Sequence, residues 1–419
     1  MAAADVLNLP GPQGQPDIAY LPNVETYNAR AQRRQQSPDL PRSLPEGFPR
    51  KLGSDLVWDG SNVSDEYEWS YQLNSHDLEE LDSAVKLYKE SGKPLGEISQ
   101  STFPLPKLHE VLRSISNEIH NGHGFKVIRG VPVHKYTREE NFIAYAGLAS
   151  HIAPQRGRQG DRYNDQPADV VLAHIKDLTN KYDPHSIGAP AFTTDKQVFH
   201  TDAGDIIALF ALSSAEEGGE SYLSSSWTVY NELAATRPDL IHTLAEPWNF
   251  DNFGKPNAPG YTSRPLLHYQ PAADDDPERL IIQYARRSFT GYWGLPRSAD
   301  IPPITEAQAE ALDALHFLAE KHAVALHFRP GDIQFVNNLS IFHARGSFRD
   351  SPTNQRHLVR LWLRDEELAW KTPAALQPLW DRLYKNVVAG KQVFPLEPSL
   401  GSGEKGDKEG LPIKSIEFN

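Results

Sequence analysis

Apolar positions in the stretch PKLHEVLRSISNEIHNGHG recur at helical spacing. Leu108, Val111, Leu112, Ile115 and Ile119 share one stripe, and Gly122 and Gly124 end it. The run GFKVIRGVPV directly afterwards predicts a strand. REENFIAYAGLASHIA reads as a second helix, and Thr305 with Gln308 forms a capping box that opens a third through Ala311, Leu315 and Leu318. From about residue 190 the texture changes to short β-rich runs separated by Gly, Pro, Asn and Asp: QVFHTD, IIALFALS, ESYLSSS, LIIQYARRSF, AVALHFRPGDIQFVN, IFHARGSF and RHLVRLWLRD. That spacing belongs to an antiparallel sandwich or barrel. A helical insertion, SSWTVYNELAATR followed by a short helix opened at Pro238 and Asp239, interrupts it. The predicted fold class is α+β, a distorted jelly roll backed by α-helices.

The two ends differ from this body. Residues 1–50 combine Pro, Gln, Arg and Asp with few large apolar side chains, so a polar, Pro-rich arm is expected, loosely docked at most. Residues 51–370 are expected to form a single domain, and residues 371–419 a helix followed by a polar, Gly-rich tail. Across the 419 residues, 55 acidic side chains outnumber 42 basic ones, and the net charge of −13 argues against a nucleic-acid partner. No cysteine occurs, which excludes disulfides, thiolate metal sites and cysteine nucleophiles. Any metal must therefore be held by His, Asp or Glu. The mean hydropathy is −0.54, and no run approaches the roughly 18 apolar residues of a membrane helix. The first residues carry neither a basic segment nor an apolar core of a secretory signal, so the expected location is cytoplasmic. Homo-oligomer formation is left open.

His200, Thr201 and Asp202 give His-x-Asp in a strand-like context, where period two places the first and third side chains on one face. Alone the triplet is ambiguous, since a histidine beside an aspartate is more often a structural hydrogen bond than a metal site. A second histidine, His343, emerges far downstream after the Gly331-Asp332 turn and Asn337-Asn338. Two histidines and a carboxylate are the facial triad of non-haem Fe(II) oxygenases, which leaves coordination positions open on one side. Further on, RHLVR places Arg356 and Arg360 four residues apart. On a strand they share a face with Leu358 and Trp362, either as exposed surface arginines or as a ligand-facing row.

In this order, GFKVIRGVP, His200-Thr201-Asp202, the GGES turn at Gly218 to Ser221, GDIQFVNN, His343-Ala344-Arg345 and RHLVR resemble the TauD/TfdA family of Fe(II)- and 2-oxoglutarate-dependent dioxygenases, of the clavaminate synthase-like superfamily. The resemblance covers residues 120 to 365, the expected jelly-roll core, and the long N-terminal arm is similar to that of fungal-type members. It implies a double-stranded β-helix in which His200, Asp202 and His343 bind iron. It also implies that Ser221, where relatives commonly have threonine, and Arg356 hold the carboxylates of 2-oxoglutarate, and that Arg360 faces an anionic group of the substrate. The hairpin between His343 and Arg356 is longer than in bacterial members, so Arg345 and Arg349 compete for a role, although both are expected to face solvent or the loop. The implied cofactors are Fe(II), 2-oxoglutarate as cosubstrate and O2. The implied reaction oxidises a C–H bond of a small anionic substrate (amino acid, carboxylate or sulfonate) with release of succinate and CO2, by hydroxylation, desaturation or ring closure.

Other residues are read in two ways. The loop RGRQGDRYNDQ, with Arg156, Arg158, Tyr163 and Asn164, is a lid over the site or an ordinary charged surface loop; Tyr163 and Asn164 are the candidate substrate contacts. Arg286 and Arg287 reach the site or serve packing, and Phe199 belongs to the core. Three further hypotheses stand beside secondary metabolism: a taurine-type sulfonate dioxygenase in sulfur scavenging, a 2-oxoglutarate-binding jelly-roll sensor without turnover, and a zinc hydrolase on the same three ligands.

Overall fold

The computed structural model describes residues 11–398 except 165, 255–257 and 275; most of the polar tail expected at the C-terminus lies outside the described residues. Two sheets face each other. The larger has the order Ser70–Gln72, Phe125–Arg129, Ile333–Asn337, Ile206–Ser213, His357–Arg364, Gln155–Arg156, with Leu172–Lys176 also paired to His357–Arg364. The smaller runs Val324–Leu326, Ser221–Ser225, Ile341–Arg345, Gln197–His200. Neighbours in both sheets come from distant parts of the chain, as a jelly roll requires.

Alternation along the strands divides the core. In His357–Arg364, the residues Val359, Leu361 and Leu363 join Ile206, Ala208, Phe210, Ile333 and Phe335 in a cluster against the helices Ser75–Glu90, Leu108–Asn121 and Arg138–Ile152. The intervening Arg360 and Trp362 turn to the inner side. A second cluster, with Phe199, Phe342 and Trp362, packs against the helices Ser226–Thr236, Pro238–Ala245 and Glu306–Lys321. The helical predictions hold in detail. The stripe from Leu108 ends with Gly122 as C-cap, and Thr305 and Gln308 exchange both hydrogen bonds of a capping box.

The N-terminal arm docks on the body, beginning with Gln15, whose Nε2 donates to the carbonyl of Phe289 at 2.9 Å. Its helix Val24–Gln35 buries Arg30, whose Nη1 donates to Asp313 at 2.7 Å and whose Nε donates to Glu306 at 2.8 Å. Arg286 donates to the other oxygen of Asp313 at 2.7 Å. Ile18, Tyr27, Leu44 and Phe48 pack against the body beside these ion pairs, so charge and a few scattered apolar side chains together anchor the segment, which a hydrophobicity pattern reads as loose. The C-terminal helix is found at Gln377–Tyr384. Among the described residues no helix is long and apolar enough to cross a membrane.

Candidate active site

His200 is the last residue of its strand and lies opposite His343 in the smaller sheet. Its Nδ1 donates to the carbonyl of Val198 at 2.8 Å, which fixes the tautomer and leaves the Nε2 lone pair for a ligand. The imidazole rings of His200 and His343 are 4.2 Å apart. Asp202 reaches the same point from the turn after the strand, not from the strand itself. Alternation is therefore not what aligns the His-x-Asp pair. A set of hydrogen bonds does so instead. Thr201 N–H donates to the carbonyl of Tyr284 at 2.9 Å, and Thr201 Oγ1 accepts from Tyr284 N–H at 2.9 Å. Asn338 Oδ1 accepts from Asp202 N–H at 2.8 Å, while its Nδ2 donates to the carbonyls of Asp202 at 2.7 Å and Gly204 at 2.8 Å.

One ligand atom from each of His200, Asp202 and His343 can be chosen so that all lie within 4.8 Å of one another, and all three residues are buried. That spacing suits a single divalent ion. Burial would raise the Asp202 pKa, but Arg360, His200 and His343 hold it well below the usual carboxylate range. Burial, with His200 adding, pushes His343 down to about 3, so its imidazole is neutral and ready to ligate. Asp202 Oδ2 accepts from Arg360 Nη1 at 2.7 Å and from Trp362 Nε1 at 3.0 Å. Its other oxygen lies 3.6 Å from His200 Nε2. One carboxylate oxygen is thus tied to the protein and the other is turned toward the histidines.

Arg356 is buried just ahead of the His357–Arg364 strand, and its Nη1 finds no hydrogen-bond partner among the described residues. Burial, with Arg345 adding, lowers its pKa to about 9. Asp350 and Glu220 offset only part of that cost, and a bound carboxylate would satisfy the unpaired donor and add to the compensation. Gly219, at φ +80°, makes room for it: a Cβ there would lie 2.9 Å from Arg356 Nε. Ser221 is buried opposite Arg345, so both side chains share the face of His343, two residues earlier.

Other candidates part company. Arg349 is exposed and paired with Glu217 at 3.1 Å. Arg345, expected to face solvent or the loop, is buried and donates to the carbonyls of Pro190 and Thr193, each at 3.1 Å, and of Asp195. Arg156 is buried against the carbonyls of Gly96 and Ile98, and Arg158 pairs with Asp169, so neither forms a lid. Arg286 and Arg287 serve packing through Ala19, Asp313 and Gly188. Tyr163 and Asn164 lie at the tip of a hairpin outside the two main sheets, Asn164 exposed at φ +50°. The base of that hairpin touches the site: Gln159 Oε1 accepts from Arg360 Nε at 2.8 Å.

The sequence reading gave Gln159 and Asn338 no role. It also passed over Gln197, whose Nε2 lies 3.1 Å from His200 Nε2. Simple alternation puts Gln197 with Phe199. A register shift, three residues against two between the His343 and Arg345 pairings, brings it round to the His200 face. Asn338→Ala strips partners from three backbone groups around Asp202. It is expected to weaken Fe(II) binding roughly 10- to 100-fold, the usual cost of losing support behind a ligand, in a metal titration with circular dichroism unchanged.

The model of the taurine catabolism dioxygenase TauD, TfdA family matches residues 91–362. The chain belongs to the TauD/TfdA family. A taurine hydroxylase-like protein, SAT17 of Stachybotrys chartarum, is 38% identical over 356 residues, covering 83% of this chain and 89% of the relative. FR-33289 synthase of Streptomyces rubellomurinus is 25% identical, covering 74% and 89%. Among solved structures, asparagine oxygenase in complex with Fe(II), a hydroxyasparagine and succinate superposes with TM-score 0.52 at 14% identity, covering 71% of this chain and 94% of that one. A variant of the non-heme iron oxygenase OrfP bound to a hydroxyarginine gives 0.50 at 16%, covering 78% and 99%. These two share the jelly-roll fold. As a TauD/TfdA member the chain is a dioxygenase that uses Fe(II), 2-oxoglutarate and O2. The donor set fits: two imidazoles and a carboxylate for the metal, and a buried guanidinium with an unmet donor for the cosubstrate.

Proposed function

We propose that this dioxygenase acts in the cytoplasm on a small anionic substrate of the amino-acid, carboxylate or sulfonate class, in a tailoring step of secondary metabolism. The observation that carries the site assignment is the convergence of His200, Asp202 and His343 beside the buried, unmet donor of Arg356. His200, Asp202 and His343 would hold Fe(II), and Arg356 with Ser221 would hold 2-oxoglutarate. When bound, the iron and cosubstrate supply the oxidation of a C–H bond, with release of succinate and CO2. The chain's own residues position and shield. Arg360 and Trp362 orient Asp202, Asn338 fixes its backbone, and the apolar sheet faces exclude water.

The substrate class rests on Arg360, a buried cation beside the metal cluster, and is supported by relatives named for taurine and asparagine. Gln159 links Arg360 to the hairpin that carries Tyr163 and Asn164, so that hairpin is the proposed cover and those two residues proposed contacts. A panel of amino acids, keto acids and sulfonates scored by succinate release tests the class, and stimulation by none of them would overturn it. Within that panel, Arg360→Lys keeps a charge beside Asp202 but loses the fork that suits a carboxylate or sulfonate. It is expected to raise the substrate KM roughly tenfold or more.

A further inference from the structure

The turn that carries Asp202, residues 201–205, joins the Gln197–His200 strand to the Ile206–Ser213 strand and is buried along its whole length. No strand ladder runs through it, so side chains set its path. Asn338 supplies one grip, through the backbone of Asp202 and the carbonyl of Gly204, and its own N–H donates to the carbonyl of Asp205 at 2.8 Å.

A second grip comes from much later in the chain. Asp205 Oδ1 accepts from Trp380 Nε1 at 2.6 Å, and Oδ2 accepts from Arg364 Nη1 at 2.5 Å. The Asp205 N–H donates to Tyr384 Oη at 3.2 Å, and that hydroxyl donates to the carbonyl of Leu363 at 3.1 Å. Gly204, at φ +96°, admits the tyrosine: a Cβ there would lie 2.6 Å from Tyr384 Oη. Trp380 and Tyr384 are buried residues of the Gln377–Tyr384 helix. With Arg364 they lie beyond residue 362, where the family match ends. A buried carboxylate–guanidinium pair contributes little net stability, because desolvation offsets most of the attraction. What Asp205 gains is a fixed place. Donors from separate parts of the chain hold its two oxygens, and the tyrosine pins its amide. Asn338 bonds the backbone at both Asp202 and Asp205, so a shift at one end of the turn is passed to the other.

We propose that the C-terminal segment is part of the metal site's support, with Trp380 and Tyr384 as positioning residues that act through Asp205 to hold Asp202 on the metal. The inference rests on the assignment of Asp202 as a ligand. Trp380→Phe removes the indole N–H and keeps a ring in place, and Tyr384→Phe removes only the hydroxyl, so one variant remains if the other folds poorly. Trp370→Phe is the matched control. That indole is buried in the same core, and its single donor goes to the carbonyl of His120 at 2.9 Å rather than to the turn. Anaerobic titration of the metal-free protein with Fe(II) gives affinity, and thermal melting gives stability, both without turnover.

The expected result is an Fe(II) Kd raised roughly tenfold in Trp380→Phe, raised by a smaller factor in Tyr384→Phe, and unchanged in Trp370→Phe, while the two tryptophan variants lose melting temperature alike. Wild-type affinity in both Trp380→Phe and Tyr384→Phe, with binding lost in Asp202→Ala, overturns the proposal. An equal rise in Trp370→Phe also overturns it, because affinity then follows general stability rather than the turn. If Asp202→Ala binds Fe(II) as wild type does, the ligand assignment itself fails, and the role of the C-terminal helix falls with it.

Discussion

Asp202→Ala is expected to abolish succinate formation and to destabilise the protein at once, whereas His343→Ala is expected to abolish turnover with a smaller loss of stability. The difference follows from what each side chain leaves behind. Asp202 is buried against Arg360 Nη1 at 2.7 Å and Trp362 Nε1 at 3.0 Å. Its removal strands a buried guanidinium, and breaking a buried pair from one side costs about 3–5 kcal/mol. His343 is neutral, its pKa lowered to about 3, and its Nδ1 has no hydrogen-bond partner among the described residues. Its loss removes a ligand but orphans no charge. Chemical denaturation of the two metal-free variants, read beside succinate release, checks both halves. Equal stability losses would show that the Asp202–Arg360 pair contributes little to the fold.

Arg356→Lys is expected to raise the 2-oxoglutarate KM by roughly 10- to 100-fold. The guanidinium is buried, carries an unmet Nη1, and is seated against Gly219 so closely that a Cβ there would fall 2.9 Å from its Nε. A lysine keeps the charge but offers no fork for a carboxylate. Arg349→Ala is the matched control. That residue is exposed on Glu217 and is expected to leave the KM unchanged. A rise in KM with Arg349→Ala and none with Arg356→Lys would move the cosubstrate to the other side of the hairpin.

Much of this site was legible because its chemistry is carried by residue types at fixed places. His200, Asp202, His343 and Arg356 could be named because the ordered motifs resemble the family, and the structure places the first three around one point. What escaped depended on geometry that pattern does not encode. The strand ends at His200, so Asp202 is aimed by Asn338 and Tyr284 rather than by alternation. A register shift brings Gln197 to the metal face. Arg345 turns inward onto the carbonyls of Pro190, Thr193 and Asp195, in the irregular segment before Gln197. The arm expected to be loosely docked at most is held in part by Arg30 on Asp313, an ion pair between positions far apart in the chain, which local composition cannot reveal.

The most direct test of the whole account is an anaerobic titration of the metal-free protein with Fe(II) and then 2-oxoglutarate, followed by visible absorption. One equivalent of each should produce the weak charge-transfer band of a chelated ferrous ion in wild type, and none in Asp202→Ala. A wild-type protein that takes up Fe(II) without the band, or an Asp202→Ala variant that keeps it, would contradict the assignment of metal and cosubstrate to these residues.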